Sequence, residues 1–240
     1  MKYVSIDIET TGLDREVCQV LEISVVIEDT RNLKPVEELP HLDLIIEHDT
    51  IVGQPYAINM NARIFKILAE MQDIKDKAER EAYRRKHNIV GEKQVTELIW
   101  TFLYTHGFGE SYMTNSMDAV TYDELKASAN PDIRIPVKKE QLKVTVAGKN
   151  FPTFDKVFLE RIENFTKLIR FRQRILDPCT DFVDFMNDDD APNMEACFRK
   201  LGLPQKTSHI AYDDAIDVIR LLRPLYNTYD RRMMLMRGNY

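Results

Sequence analysis

The stretch Tyr3-Val4-Ser5-Ile6-Asp7-Ile8-Glu9-Thr10-Thr11-Gly12-Leu13 sets two carboxylates in and beside an apolar run. Tyr3–Ile8 reads as a buried strand. Side chains at i and i+2 of a strand share a face, so Asp7 and Glu9 project together. Two carboxylates held side by side repel, and their burial is costly unless a cation joins them. Thr10–Arg15, with Gly12 inside it, reads as a turn leaving that strand.

Outward from this stretch, Val17–Glu28 is apolar at Val20, Leu21, Ile23, Val25, Val26 and Ile27 and reads as a second strand. Leu42–Glu47 reads as a third, with turn-like residues Asn32–Pro40 before it. The three form an antiparallel meander. Pro55–His87 reads as mainly helical, with its charged half, Asp73–Lys86, as a solvated face. Val95–Tyr104 is a further helix, stopped by Gly107 and Gly109. Glu110–Lys143, which holds Pro131 and Pro136, carries no clear pattern. Leu142–Ala147 reads as a strand, Phe154–Arg161 as a helix, and Thr166–Asp177 as a loop leading to a short strand. Met194–Leu201 is a short helix closed by Gly202 and Pro204. Ala211–Leu222 is a helix whose buried stripe is Ala211, Ala215, Val218, Ile219 and Leu222.

The chain has 240 residues, enough for one large domain or two small ones. Its hydrophobic share of 44% and charged share of 30% are those of an ordinary globular protein. No apolar run approaches the roughly 20 residues that span a bilayer, and Met1-Lys2 runs straight into the first strand, so no membrane association and a cytoplasmic location are expected. Cys18, Cys179 and Cys197 are scattered and read as reduced thiols. The net charge of −6 argues against broad duplex affinity but not against gripping a few nucleotides at a strand end.

Two later stretches complete a pattern. Gly148-Lys149-Asn150-Phe151-Pro152-Thr153-Phe154-Asp155 brings Asp155 to the start of a helix, and His209-Ile210-Ala211-Tyr212-Asp213-Asp214 brings Asp214 to the start of another. Taken alone, Asp155 would read as a helix N-cap and His209 as a capping histidine. Together with Asp7 and Glu9 they make an oxygen-ligand set of the kind two divalent cations use to hydrolyse a phosphodiester. An imidazole at His209 has the right unperturbed pKa to take a proton from the attacking water. Asp213, which adjoins Asp214, reads as a first-turn acid favoured by the helix dipole. His41, His48, His87 and His106 lack a partner pattern and read as surface or loop residues. Arg170, Arg172 and Arg174 alternate near the expected site; they suit a nucleic-acid backbone and equally a solvated strand face.

With these residues in view, the chain resembles the DEDDh exonucleases. Asp-x-Glu-Thr-Thr-Gly matches at Asp7–Gly12, Asn before Phe-Asp at Asn150 and Phe154-Asp155, and His-x-Ala-x-x-Asp at His209–Asp214. The likeness covers residues 1–50 and 142–222 and is thin over 53–141. It implies an α/β, ribonuclease H-like fold: a mixed five-stranded sheet flanked by helices. Leu142–Ala147 and a strand near Ile175 would join the meander in parallel. One exonuclease domain would span residues 1–240, with 53–141 as a family-variable insertion. It further implies two Mg²⁺ or Mn²⁺ ions held by Asp7, Glu9, Asp155 and Asp214, with His209 as general base. The 3′ end would lie on the turn Thr10, Thr11 and Leu13, with Asn150 and Lys149 beside it. Lys149 stands where the family often has His. Ile210 disfavours the sister class that carries Tyr four residues before the last Asp.

The expected activity is 3′→5′ hydrolysis of single-stranded nucleic acid to nucleoside 5′-monophosphates, with DNA slightly ahead of RNA. The alternatives are an exoribonuclease trimming RNA ends or short oligonucleotides, and a non-catalytic polymerase-associated domain. A homodimer or a polymerase-type partner fits the same family.

Overall fold

A computed structural model describes residues 1–109, 139–204 and 209–226. Three antiparallel strands open the chain: β1 (Lys2–Thr10), β2 (Val20–Asp29) and β3 (His41–Glu47). On one side β6 (Val146–Ala147) pairs with β1 in parallel; on the other β4 (Ile89–Gly91) pairs with β3 in parallel. The result is the expected mixed five-stranded sheet, in the order β4-β3-β2-β1-β6.

Helices cover both faces, which is why β2 is buried at nine successive positions. Even-numbered β1 residues, Val4, Ile6 and Ile8, join a core with Ile99, Trp100, Phe102 and Leu103 of α4 (Glu92–Leu103). Odd-numbered ones point the other way. Tyr3 lies in a second core with Cys197 and Phe198 of α8 (Met194–Leu201) and with Ala215, Val218, Ile219 and Leu222 of α9 (Ala211–Leu222). Asp7 and Glu9 share that odd parity, so strand alternation alone aims both at the face beneath α9. Burying an aliphatic side chain contributes about 1.5–3 kcal/mol, which lets the α9 stripe hold the helix against the sheet.

Several boundaries differ from expectation. The helical stretch after Pro55 divides into α1 (Pro55–Met60), α2 (Ala62–Asp73) and α3 (Lys77–Lys86). Asn61 breaks the first junction; Asp76 caps α3 by accepting the Glu79 N–H at 2.8 Å. The strand over Leu142–Ala147 parts at Thr145. Its first half, β5 (Leu142–Val144), pairs with β7 (Ile169–Phe171) in a separate two-stranded sheet, and only β6 joins β1. No strand forms at Ile175; Leu176 makes a single parallel bridge to Ala147. The fifth strand of the main sheet is β4 instead. Helix α5 (Asp155–Leu159) is shorter than expected, and residues 165–168 form a helical turn, α6 (Phe165–Leu168). After α4 the chain continues as a wide turn, Tyr104–Phe108, in which Gly107 takes φ 80°. Most of the unpatterned span, residues 110–138, lies outside the described residues. A further short helix, α7 (Pro178–Asp181), is capped by Asp177.

Candidate active site

The register of β1 against β2 runs unbroken to Glu9 opposite Glu22, then shifts so that Thr10 faces Val20. Leu21 is the extra residue of this bulge. Bulges re-aim side chains at strand ends. Here the bulge lies where β1 delivers Glu9 and turns away.

Carboxylate oxygens of Asp7, Glu9 and Asp214 all lie within 4.8 Å of one another. Asp7 and Glu9 come from β1, and Asp214 from the first turn of α9. Asp155, the first residue of α5, lines the same cleft, as do Lys149, Asn150 and His209, in a volume of about 590 Å³. Residues far apart in the chain thus meet at the edge where β1 ends.

The electrostatics follow from that crowding. Burial pushes the Asp7 carboxyl well above the ordinary carboxylate range, and the charges of Asp155, Asp214 and Glu9 push it further. Burial raises Asp155 to about 7 even though the backbone N–H groups of Asp155 and Ile8 stabilise its charged form. Asp214 is also raised to about 7, first by burial and then by Glu9. Glu9 is raised by burial, against the Asn61 side chain and the His209 charge, which pull it down. A bound cation would relieve such crowding, and an oxygen-only donor set is of the kind that hard divalent cations take. His209 is exposed in the cleft and near enough to Glu9 for its charge to matter.

The Thr10–Leu13 turn is built by its own side chains. Thr10 Oγ1 donates to the Gly12 carbonyl at 2.8 Å, and Thr11 Oγ1 donates to the Val52 carbonyl at 2.6 Å. The N–H groups of Thr11 and Leu13 go to Gln19 O and Gln54 Oε1, at 2.8 and 3.1 Å. Gly12 sits at φ 156°, and a Cβ there would lie 2.7 Å from Cys18 Sγ, so only glycine fits. Both threonines are buried; the turn presents the Leu13 side chain, 76% exposed, to solvent.

On the other rim, Asn150 adopts a left-handed φ of 52°, which asparagine tolerates. Its N–H donates to Asp177 Oδ2 at 3.1 Å, tying the loop to the start of α7. Lys149 is exposed, and its charge lowers the Asp214 pKa.

Sequence reasoning missed three residues behind the site. Glu22, almost fully buried, faces Glu9 across the β1–β2 ladder. One Arg63 guanidinium nitrogen donates to both Glu22 oxygens at 2.7 Å, and the Ala211 N–H donates to Glu22 Oε2 at 3.2 Å. Glu22 therefore ties α2 and the start of α9 to the strand beside the carboxylates. Asn61 donates to the Thr10 and Ala57 carbonyls at 3.1 and 3.2 Å, and its side chain lowers the Glu9 pKa. The sequence held one signal: an acid inside the apolar run Val20–Ile27 requires a partner. Two histidines read as surface or loop residues have buried side chains, His48 against the Val20 carbonyl and His106 against the Phe102 carbonyl, each at 2.7 Å.

No family model and no curated protein matches the chain. Solved structures do resemble it. E. coli exonuclease I in complex with a dT13 oligonucleotide gives a TM-score of 0.51 at 12% identity, over 98% of this chain and 43% of that one. The zinc-ion-bound E. coli ExoI–ssDNA complex gives 0.51 at 12%, over 97% and 43%. The complex of the same enzyme with a dA16 oligonucleotide gives 0.50 at 13%, over 95% and 42%. This chain therefore spans less than half the length of those it matches, and at such identity the likeness is one of fold.

Proposed function

We propose that this chain is a metal-dependent 3′→5′ exonuclease that degrades single-stranded nucleic acid, DNA first, to nucleoside 5′-monophosphates. The observation that carries the reading is the convergence of Asp7, Glu9 and Asp214 within 4.8 Å, with Asp155 and His209 in the same cleft. Asp7, Glu9, Asp155 and Asp214 would hold two divalent cations, Mg²⁺ or Mn²⁺. Bound there, the pair supplies Lewis-acid activation of water and stabilisation of the leaving oxygen. His209 takes the proton from the attacking water, and its exposure lets it pass that proton to solvent. Leu13 stacks on the terminal base, a contact that tolerates any sequence. Lys149 and Asn150 receive the scissile phosphate from the opposite rim. Residues 1–240 act as one exonuclease unit. The described residues 53–109 contribute to it, because α2 supplies Arg63 and α4 supplies much of the core. DNA comes first because the similar folds are those of exonuclease I bound to dT13 and dA16.

The test is digestion of matched DNA and RNA single strands, labelled at either end, with Mg²⁺ and then with chelator. A 3′ label leaves at once as a mononucleotide, a 5′ label descends through a ladder, and chelator stops both. Internal cuts, a 5′ label released first, or turnover in chelator contradicts the reading.

A further inference from the structure

Two segments of this acidic chain are free of acid. Residues 141–154 and 164–176 contain Lys143, Lys149, Lys167, Arg170, Arg172 and Arg174 and not one Asp or Glu, although the whole chain has 39 acidic residues against 33 Lys and Arg. The fold lays the two segments side by side. β5 and β7 pair in parallel with Lys143 opposite Arg170, and both side chains are exposed while their neighbours Leu142, Val144, Ile169 and Phe171 are buried. Beyond β7 the chain carries exposed Arg172 and Arg174 up to Leu176, which bridges Ala147. The next residue, Asp177, holds the Asn150 N–H. β6 runs parallel to β1, so this line of cations travels toward the edge where Asp7 and Glu9 lie and ends beside the loop of Lys149 and Asn150.

These arginines are also unspent. Arg63, Arg84 and Arg223 pair with the carboxylates of Glu22, Glu47 and Glu28. No such partner meets the side chains of Arg170, Arg172 or Arg174 among the described residues. A guanidinium is a weakly hydrated, planar donor suited to phosphate oxygens. Arg170 lies in β7, and Arg172 and Arg174 follow it on the connection to Leu176, where alternate residues of the chain stand at most about 7 Å apart. An unstacked single strand, whose phosphates spread beyond the roughly 3.4 Å rise of the stacked form, can place phosphates along such a line.

We propose that the outer face of the β5–β7 pair and the segment that follows β7 form a phosphate track, with Arg170, Arg172 and Arg174 gripping the backbone of the nucleic-acid single strand that feeds the cleft. The proposal rests on the nuclease reading for the strand's destination. It accounts for an acidic protein handling a polyanion: repulsion is confined to faces the strand does not visit. Because the track lies outside the cleft, its effect grows with strand length.

The test compares the full chain with its R170A/R172A/R174A variant and with the charge-preserving R170K/R172K/R174K. Binding of fluorescent single strands is followed by anisotropy with Ca²⁺ across a salt series. For a strand of about twenty nucleotides the alanine variant binds at least about ten-fold more weakly. The slope of log affinity against log salt falls by about 2, the size expected for three lost phosphate contacts on a single strand. For a trinucleotide the loss stays under about two-fold, and the lysine variant recovers most of the long-strand affinity, as phosphate contacts of this kind require. An alanine variant with the parent's long-strand affinity and salt slope overturns the track, and binding of an acidic polypeptide in place of the strand does the same. A parent that binds strands through these arginines but never cleaves them leaves the track standing and overturns the nuclease reading.

Discussion

Asp155 and Asp214, each raised to about 7 from an ordinary 3.8, hold protons near neutral pH that the unfolded chain has already released. Between about pH 4 and pH 7 the native state therefore binds more protons than the unfolded state, and stability falls as pH rises through that window. Each pK unit of such a difference corresponds to about 1.4 kcal/mol. The metal-free protein is expected to lose several degrees of melting temperature between about pH 5 and pH 8, and saturating Mg²⁺ is expected to remove most of that slope. Thermal melts across pH, with and without the ion, check this; a flat metal-free profile contradicts it. Asp7 stands at the centre of the repulsion, so Asp7→Asn should raise the metal-free melting temperature while reducing turnover by about three orders of magnitude or more. A variant that keeps a tenth of the parent rate, or melts lower without metal, argues against that placement.

At the scale of elements, Glu22 joins three pieces that the chain order separates: β2, α2 through Arg63 and α9 through the Ala211 N–H. Glu22→Ala leaves Arg63 unpaired and a buried N–H without its acceptor. It is expected to cost about 3 kcal/mol, the low end for a broken buried pair because Arg63 is partly exposed. It also frees the α9 start that carries Asp214 next to His209, and a displacement of 1 Å there lowers the rate by about 10²-fold. Glu22→Gln keeps the acceptor and should lose far less of both. Denaturation curves and initial rates on the folded fraction separate the two effects, and equal rates for alanine and parent exclude a positioning role.

β1 and α9 were legible because each carries its own period: Tyr3–Ile8 is long enough to read as buried, and the Ala211–Leu222 stripe repeats over three turns. The pair Asp7 and Glu9 needed only strand alternation. β4 was not legible, because three residues between two helices carry no period, and its pairing with β3 is a tertiary choice. The parting of Leu142–Ala147 between two sheets was not legible, since β5 alternates while the two residues of β6 are both apolar and too few to carry a period. The bridging role of Glu22 depends on Arg63, 41 positions away, and no local pattern links them. The threonines of the turn were legible as a motif, but their hydroxyls are spent on the Gly12 and Val52 carbonyls, and the second of these bonds comes only with the packing of residues 52–54 against Thr11.

Across the molecule, charge is sorted. Carboxylates collect where β1 ends and α5 and α9 begin, and unpaired arginines collect along β7 and the segment after it. No helix among the described residues is long and apolar enough to cross a membrane. A net charge of −6 thus coexists with a surface on which one polyanion has a defined place. Catalysis of the proposed kind requires that the carboxylate cluster bind a pair of cations. The direct measurement is anomalous scattering from crystals grown with Mn²⁺. It should show two peaks about 3.5–4 Å apart, bounded by Asp7, Glu9, Asp155 and Asp214. Saturating Mn²⁺ with no peak among these four side chains would contradict it.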